Sequence, residues 1–216
     1  MYDPAVPDER NLLDRRRRKS RAALRQSLLG LIADKPYSAI TIEDITEAAD
    51  VARATFYAHY TDKAALLREA CEELVIELGE RATVAAAADT PTYSGAATTE
   101  LFRHAEQNRD LYRLVLSGEG GAAPRNAMIA ALQRAVESFV TEFTARFDRQ
   151  PRVPASLIAS TLVGALLLTI EMWLDGRLDG TPADLAAFFA RGQVNGLEWA
   201  LGFEPGDLRY QPRAER

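Results

Sequence analysis

Thr55–Leu67 reads TFYAHYTDKAALL. It places three aromatics, a histidine and a lysine within nine residues, and only two histidines occur in the whole chain. Set on a helix that begins at Arg53, these residues sort onto two sides. Phe56 and Tyr60 are four apart and point one way, with Val51 able to join them inside. Arg53 and Tyr57 are also four apart but lie on another face, with Ala54 beside them and Thr55 and His59 at its flanks. Such a segment has an apolar side that anchors it and a side of hydrogen-bonding groups. It is too short to be stable alone, so packing must hold it.

The flanking residues extend the pattern. Upstream, TIEDITEAAD carries Thr41 three residues before Asp44, a variant of the capping box, and Ile42, Ile45 and Ala49 share a helical face. DVA, residues 50–52, is a tight turn between this helix and the next, so the pair forms a helix-turn-helix unit. Downstream, Asp62 is placed to cap a helix from Lys63 to about Ala88, with Leu66, Leu67, Ala70 and Leu74 packing inward. Further upstream, Arg15–Arg25 holds seven basic residues and no acidic one, in a chain whose net charge is −5. Leu24, Leu28 and Leu31 continue it as an amphipathic helix that ends before Pro36. Cations at the start of a helix oppose its dipole, so a partner outside the chain is expected to compensate them; a solvated charged arm is the plainer alternative.

A helix of this width fits the major groove of B-DNA. In that setting Arg53 is suited to a forked pair with guanine, Thr55 to a base edge or a thymine methyl, and the small Ala54 to close approach. Tyr57 and His59 are suited to phosphate oxygens, Lys63 to a phosphate at the first turn of its helix, and Thr41 to a second such clamp. Arg15, Arg16, Arg17, Arg18, Lys19 and Arg21 supply sequence-independent attraction. The plainer readings are that Phe56 and Tyr60 are core, that Tyr57 packs at the surface and that His59 caps a neighbouring helix.

Over about Ser20–Leu67 the chain resembles the TetR family of bacterial transcription repressors. The resemblance lies in Thr41 at a helix start, in Ala48-Ala49-Asp50-Val51 at the turn, and in the run from Thr55-Phe56-Tyr57 through His59-Tyr60 to Lys63 and Leu66. Asp50 stands where that pattern usually has glycine, and Ala52 where it has a serine or threonine cap. A missing cap costs on the order of 1 kcal/mol. The resemblance implies a body that dimerises and binds an inducer, and a homodimer that reads a palindromic operator in double-stranded DNA and is released by a small-molecule effector.

The remainder reads helical throughout, without strand alternation or repeat. The expected helices cover 96–107, 109–117, a stripe from Asn126 to Phe143, 156–174 and 182–201. Thr181 caps the last, which carries Leu185, Phe188, Phe189, Val194, Leu197 and Trp199; Gly202 stops it. The fold class is therefore all-α, about nine helices in total: a three-helix DNA-binding domain joined to a helical ligand-binding and dimerisation domain. The expected division is a disordered tail at 1–14, the helix-turn-helix domain at 15–67, the body at 68–202 and a tail at 203–216. The helices 156–174 and 182–201 are too apolar for a monomer's surface, and two from each of two chains make a four-helix bundle. Phe102, Tyr112, Met128, Phe139, Met172 and Trp173 are the candidate pocket residues, with plain core as the alternative for each.

Val153–Ile170 carries no formal charge, but Pro154, Ser156, Ser160, Thr161, Gly164 and Thr169 interrupt it and Glu171 follows. A helix buried against other helices is expected there, not a membrane span. The single cysteine, Cys71, excludes an internal disulfide and a cysteine-based zinc site, and fits a reducing cytoplasm. No glycine-rich phosphate loop, nucleophile elbow or metal-spaced ligand set is present, so neither an enzyme, a metal nor a cofactor is expected. His104, with Glu100 at i−4, is expected on a solvated helical face. The runner-up function is a protein of the same type that acts mainly by binding another protein, with weak DNA contact.

Overall fold

The computed structural model describes residues 9–86 and 95–203. Among them are nine α-helices and one short 3-10 turn, with no strand. The expected tails meet this description only in part: residues 1–8 and 204–216 lie outside the described residues, whereas residues 9–14, expected as tail, are helical. The break expected around Pro91 also lies outside the described residues.

The chain divides into two compact units, Met1–Ala70 and Cys71–Arg216. In the first, α1 (Glu9–Asp34) is followed by the 3-10 turn Tyr37–Ala39, α2 (Ile42–Ala48), α3 (Arg53–Tyr57) and the start of α4 (Lys63–Ala86). Leu24 and Leu28 of α1, Ile45 of α2, Phe56 of α3 and Leu66 and Leu67 of α4 are all fully buried. Leu31 is half-buried, so the stripe fades as α1 nears Pro36. Thr41 caps α2 with its hydroxyl, and Asp44 returns the bond to the Thr41 backbone N–H at 2.7 Å, the reciprocal box expected from their spacing. Asp62 caps α4 by accepting from the Ala65 N–H at 2.7 Å. Asp50 has φ 52°, the left-handed conformation that a glycine enters without strain. Ala52 occupies the N-cap of α3 and makes no side-chain cap.

The second unit continues α4 and adds α5 (Ala96–Gln107), α6 (Arg109–Ser117), α7 (Ala122–Arg146), α8 (Ala155–Leu174) and α9 (Pro182–Ala200). α5, α6, α8 and α9 match expected helices to within a residue at each end, whereas α7 begins four residues before the expected stripe from Asn126 and ends three residues after Phe143. Thr181 caps α9, with Asp184 accepting from the Thr181 backbone N–H at 3.0 Å. Ile158, Ala159, Val163, Leu167, Ile170, Trp173 and Leu174 of α8 are buried. By length and composition α8 could cross a membrane, at mean hydropathy 1.9, yet it packs along α7 and α6. Val140, Phe143, Ile158, Leu201 and Phe203 form one core cluster, closed where the Arg152 N–H donates to the Ala200 carbonyl at 2.8 Å. Gly202 there has φ 84°, and a Cβ would fall 2.2 Å from the Gln150 oxygen, so only glycine fits. In α9, Leu185 and Phe189 are buried and Phe188 is exposed; the side chains of Val194, Leu197 and Trp199 lie outside the described residues. Cys71 is buried, and burial pushes its thiol up to about 12, as suits a small apolar residue with no redox role.

Candidate nucleic-acid interface

The site is built on α3, which at five residues cannot hold its own shape. Phe56 fixes it from inside, fully buried and in ring contact with Tyr60 at 5.7 Å. Val51 is half-buried beside the turn. With this flank anchored, the opposite one is left to solvent: Arg53 and Ala54 are exposed, Tyr57 is half exposed, and Thr55 is partly covered. The Arg53 guanidinium donates to the Tyr57 hydroxyl at 3.4 Å and lies 5.8 Å from that ring's centroid. The Tyr57 hydroxyl, together with the Glu43 carboxylate of α2, raises the pKa of Arg53, so the charge is permanent. Arg15, Arg16, Arg17, Arg18 and Lys19 are exposed on the second and third turns of α1, which begins at Glu9, so the cations do not stand at the helix N-terminus as expected. Four successive arginines step around a helix by about 100° each, so no single flat surface touches all of them at once.

Four other candidates are engaged within the fold. Lys63, expected to face a phosphate, donates to the carbonyls of Tyr37 and Ile40 at 2.6 Å each and lies 4.2 Å from the Tyr37 ring centroid. It satisfies backbone oxygens left by the 3-10 turn instead. Arg21, expected to attract DNA, forms a forked pair with Glu69 of α4. Tyr60 donates to the same carboxylate at 2.8 Å. Burial pushes the Tyr60 hydroxyl up to about 12, and it stays protonated as the donor.

Thr41 spends its hydroxyl on the cap: it donates to the Asp44 carboxylate at 2.8 Å and accepts from the Asp44 N–H at 3.1 Å. Lys35 pairs with that carboxylate at 2.8 Å. Lys35 and the Thr41 bonds hold Asp44 well below the usual carboxylate range, so the start of α2 already carries an anion. His59 meets Ser20 of α1, with Nε2 and Oγ 2.8 Å apart. The Ser20 hydroxyl also lies 3.1 Å from the Arg16 and Arg17 carbonyls, which accept its proton in the tautomer where the His59 ring donates. Burial first, then Arg17 and Arg21, lowers the His59 pKa, and the ring is neutral at pH 7. The expectation that His59 serves a neighbouring helix fits this geometry better than the phosphate role.

Ser20 and Glu69 gave no signal as site residues, since each matters through a partner 39 or 48 positions away.

The candidate pocket residues do not converge. Phe102 and Trp173 meet edge-on at 5.9 Å, with Phe189 against Phe102 at the same distance. Tyr112 is buried against His104, and Phe139 stacks on Phe143 in the cluster near the end of α7. Met128 is buried and Met172 partly so. An open surface cleft of about 480 Å³ lies along α9, lined by Asp184, Ala187, Phe188, Arg191 and Gly192, and none of the six borders it. Phe139, like Met172, is only partly buried. Among the described residues no group of three or more metal-binding side chains comes together.

A short helix held by its apolar flank, behind a capped helix and a left-handed turn, is a helix-turn-helix unit, and an all-helical body follows it. Residues 27–70 match the family model "Bacterial regulatory proteins, tetR family". It is 28% identical over 176 residues to the Uncharacterized HTH-type transcriptional regulator YxbF of Bacillus subtilis (strain 168), across 79% of this chain and 45% of that protein. The chain thus spans about half the length of the curated relative it matches. Among solved structures it resembles NalD, the secondary repressor of the MexAB-OprM multidrug efflux pump in Pseudomonas aeruginosa, at TM-score 0.60 and 21% identity over 83% of this chain and 96% of that one. It also resembles RolR in complex with resorcinol, at TM-score 0.59 and 21% identity over 82% and 89% of the two chains. These likenesses show the fold.

Proposed function

We propose that the chain is a cytoplasmic DNA-binding transcriptional regulator, a repressor that holds a palindromic operator as a homodimer and is released by a small molecule. The observation that carries this reading is the exposed face of α3: Arg53, Ala54 and Tyr57 stand in solvent while Phe56 behind them is fully buried. Arg53 with its forked donors reads a guanine, Thr55 and Ala54 allow close approach, and Arg15–Lys19 provide the phosphate attraction. The division of labour assigns DNA to 15–67 and ligand and dimer contacts to 68–202.

The dimer is supported by α8 and α9. Leu157 and Leu168 on α8 and Phe188 on α9 are exposed, and Gly164 and Ala165 are exposed between the two leucines. A second copy covers such a face with close helix contact. It also sets two α3 helices about 34 Å apart, one DNA turn. The repressor and effector parts follow the described roles of NalD and of resorcinol-bound RolR. Release then works by population shift, the ligand binding better to the conformer that fits DNA less well.

Selection of genomic fragments by the purified protein tests the reading. Enrichment of one inverted repeat with half-sites a turn apart is expected, and recovery of unrelated fragments would overturn it. The inward engagement of Lys63 and Arg21 favours the second reading, a protein of this family that works mainly through a protein partner. Under that reading, affinity for duplex DNA stays weak and responds little to salt.

A further inference from the structure

We propose that His104 is an acid-sensitive latch: its neutral imidazole on α5 bonds to α6 beside Glu77 of α4, and taking up a proton opens that junction. The sequence suggests a solvated histidine, yet the ring is fully buried. Nδ1 lies 3.0 Å from the Tyr112 hydroxyl of α6, which is fully buried too. Nε2 has no hydrogen-bond partner among the described residues, and Glu77 Oε2 of α4 stands 3.8 Å away. One tautomer suits these surroundings. Tyr112 donates its proton to Nδ1, and the N–H at Nε2 faces the Glu77 carboxylate. The reverse tautomer sets a lone pair against that carboxylate and strands the Tyr112 proton.

A second ring proton has no good place. It must go to Nδ1, where Tyr112 already donates, and it puts a full charge into a dry site. Glu77 would compensate it, but Arg81 of α4 already binds Glu77 at 2.6 Å and Glu100 of α5 at 3.3 Å, with Gln107 at 2.7 Å. Two carboxylates are thus shared with an arginine beside the ring. Among the described residues, the other helices that pack on α5 direct their charges elsewhere: Arg109 of α6 donates to the Leu174 carbonyl, Arg113 pairs with Asp175 and Asp110 is exposed, while α8 and α9 present Trp173 and Phe189 to Phe102, Glu171 pairs with Arg177, Asp184 is held by Thr181, and Arg191 is exposed. Burial is the largest influence on His104 and lowers its pKa; Glu77 pulls it up by more than Arg81 pushes it down, Glu100 adds a smaller upward pull, and the net shift is downward. The folded value lies below the unfolded one, so this stabilisation is complete above about pH 6.5 and is lost as pH falls toward the folded value.

Only two histidines are present, so His59→Asn leaves one imidazole to observe. Proton NMR of that variant is expected to show His104 titrating below about 6.5, with Tyr112→Phe moving the midpoint up and Glu77→Gln moving it down. Its Tm is expected to fall on acidification from neutral to mildly acidic pH, and to fall less when His104→Gln is added. A midpoint at or above the free-imidazole value, or an equal fall in the double variant, would overturn the proposal. Where the double variant does not fold, the NMR midpoints decide alone.

Discussion

The ammonium of Lys63 donates to the carbonyl of Ile40 at 2.6 Å, across 23 residues of chain, and the same group bonds Tyr37. A residue that the sequence places on a phosphate thus ties the start of α4 to the turn ahead of α2. Charge-assisted bonds of this kind contribute about 1.5–3 kcal/mol each when partly buried. Lys63→Met is expected to lower the unfolding free energy by about 2–3 kcal/mol in a urea titration, while leaving the salt slope of duplex binding unchanged. A slope reduced by about one would assign Lys63 to a phosphate after all.

Glu69 receives both Arg21 and Tyr60. Burial raises its pKa, but those two hydrogen bonds outweigh that and the net shift is downward. The folded value lies below the usual 4.5, so the contribution is present above pH 4.5 and lost as pH falls through the folded value. Arg21 is half exposed, which limits the pair's worth. Glu69→Gln is expected to cost about 1 kcal/mol at pH 7, the difference from the parent closing in acid. Equal stability of the two proteins at pH 7 would show the network to be idle.

The turn into α3 departs from the TetR pattern it resembles in two places that act in the same direction. Asp50 sits in the left-handed region and Ala52 leaves the helix uncapped. Asp50→Gly and Ala52→Ser are each expected to stabilise the protein by roughly 0.5–1 kcal/mol, read as a rise in Tm. Ala52→Ser is also expected to tighten DNA binding modestly by adding a hydroxyl at the helix start. A fall in Tm for Asp50→Gly would mean that the aspartate side chain contributes more than its backbone strain costs.

Arg53 and the α1 arginines are expected to fail in different ways. Arg53→Ala should cost about 1–3 kcal/mol at one base-pair position and relax preference there, with little change in salt slope. Replacing Arg15, Arg16, Arg17 and Arg18 by alanine should weaken binding to every duplex and flatten the salt slope by several units. Competition binding on single-substituted operators separates the two, and an Arg53→Ala variant with unchanged preferences at every position would remove it from base reading.

What the sequence shows plainly is periodic or local. The capping boxes at Thr41–Asp44 and Thr181–Asp184, the buried flank of α3 and the order of the helices all follow from spacing within a few residues. What it hides is paired at long range. Nothing local links Ser20 to His59, Arg21 to Glu69 or Lys63 to Ile40, so side chains that look free for DNA prove to be fastenings. His104 is hidden for another reason. Its i−4 glutamate suggests an exposed ion pair, yet it follows Leu101 by three and precedes Ala105 by one, on the buried face of α5. The six aromatic and methionine positions of the body do not by themselves reveal a cavity, because composition does not say where packing leaves space.

The central claim is that the exposed face of α3, flanked by the basic run of α1, binds duplex DNA. The most direct measurement is the association constant of the intact protein for duplex DNA across a salt series. A linear fall of log K with log salt is predicted, with a slope steeper than about −4, the signature of several phosphates neutralised together. No binding at low salt, or a constant indifferent to salt, would contradict it.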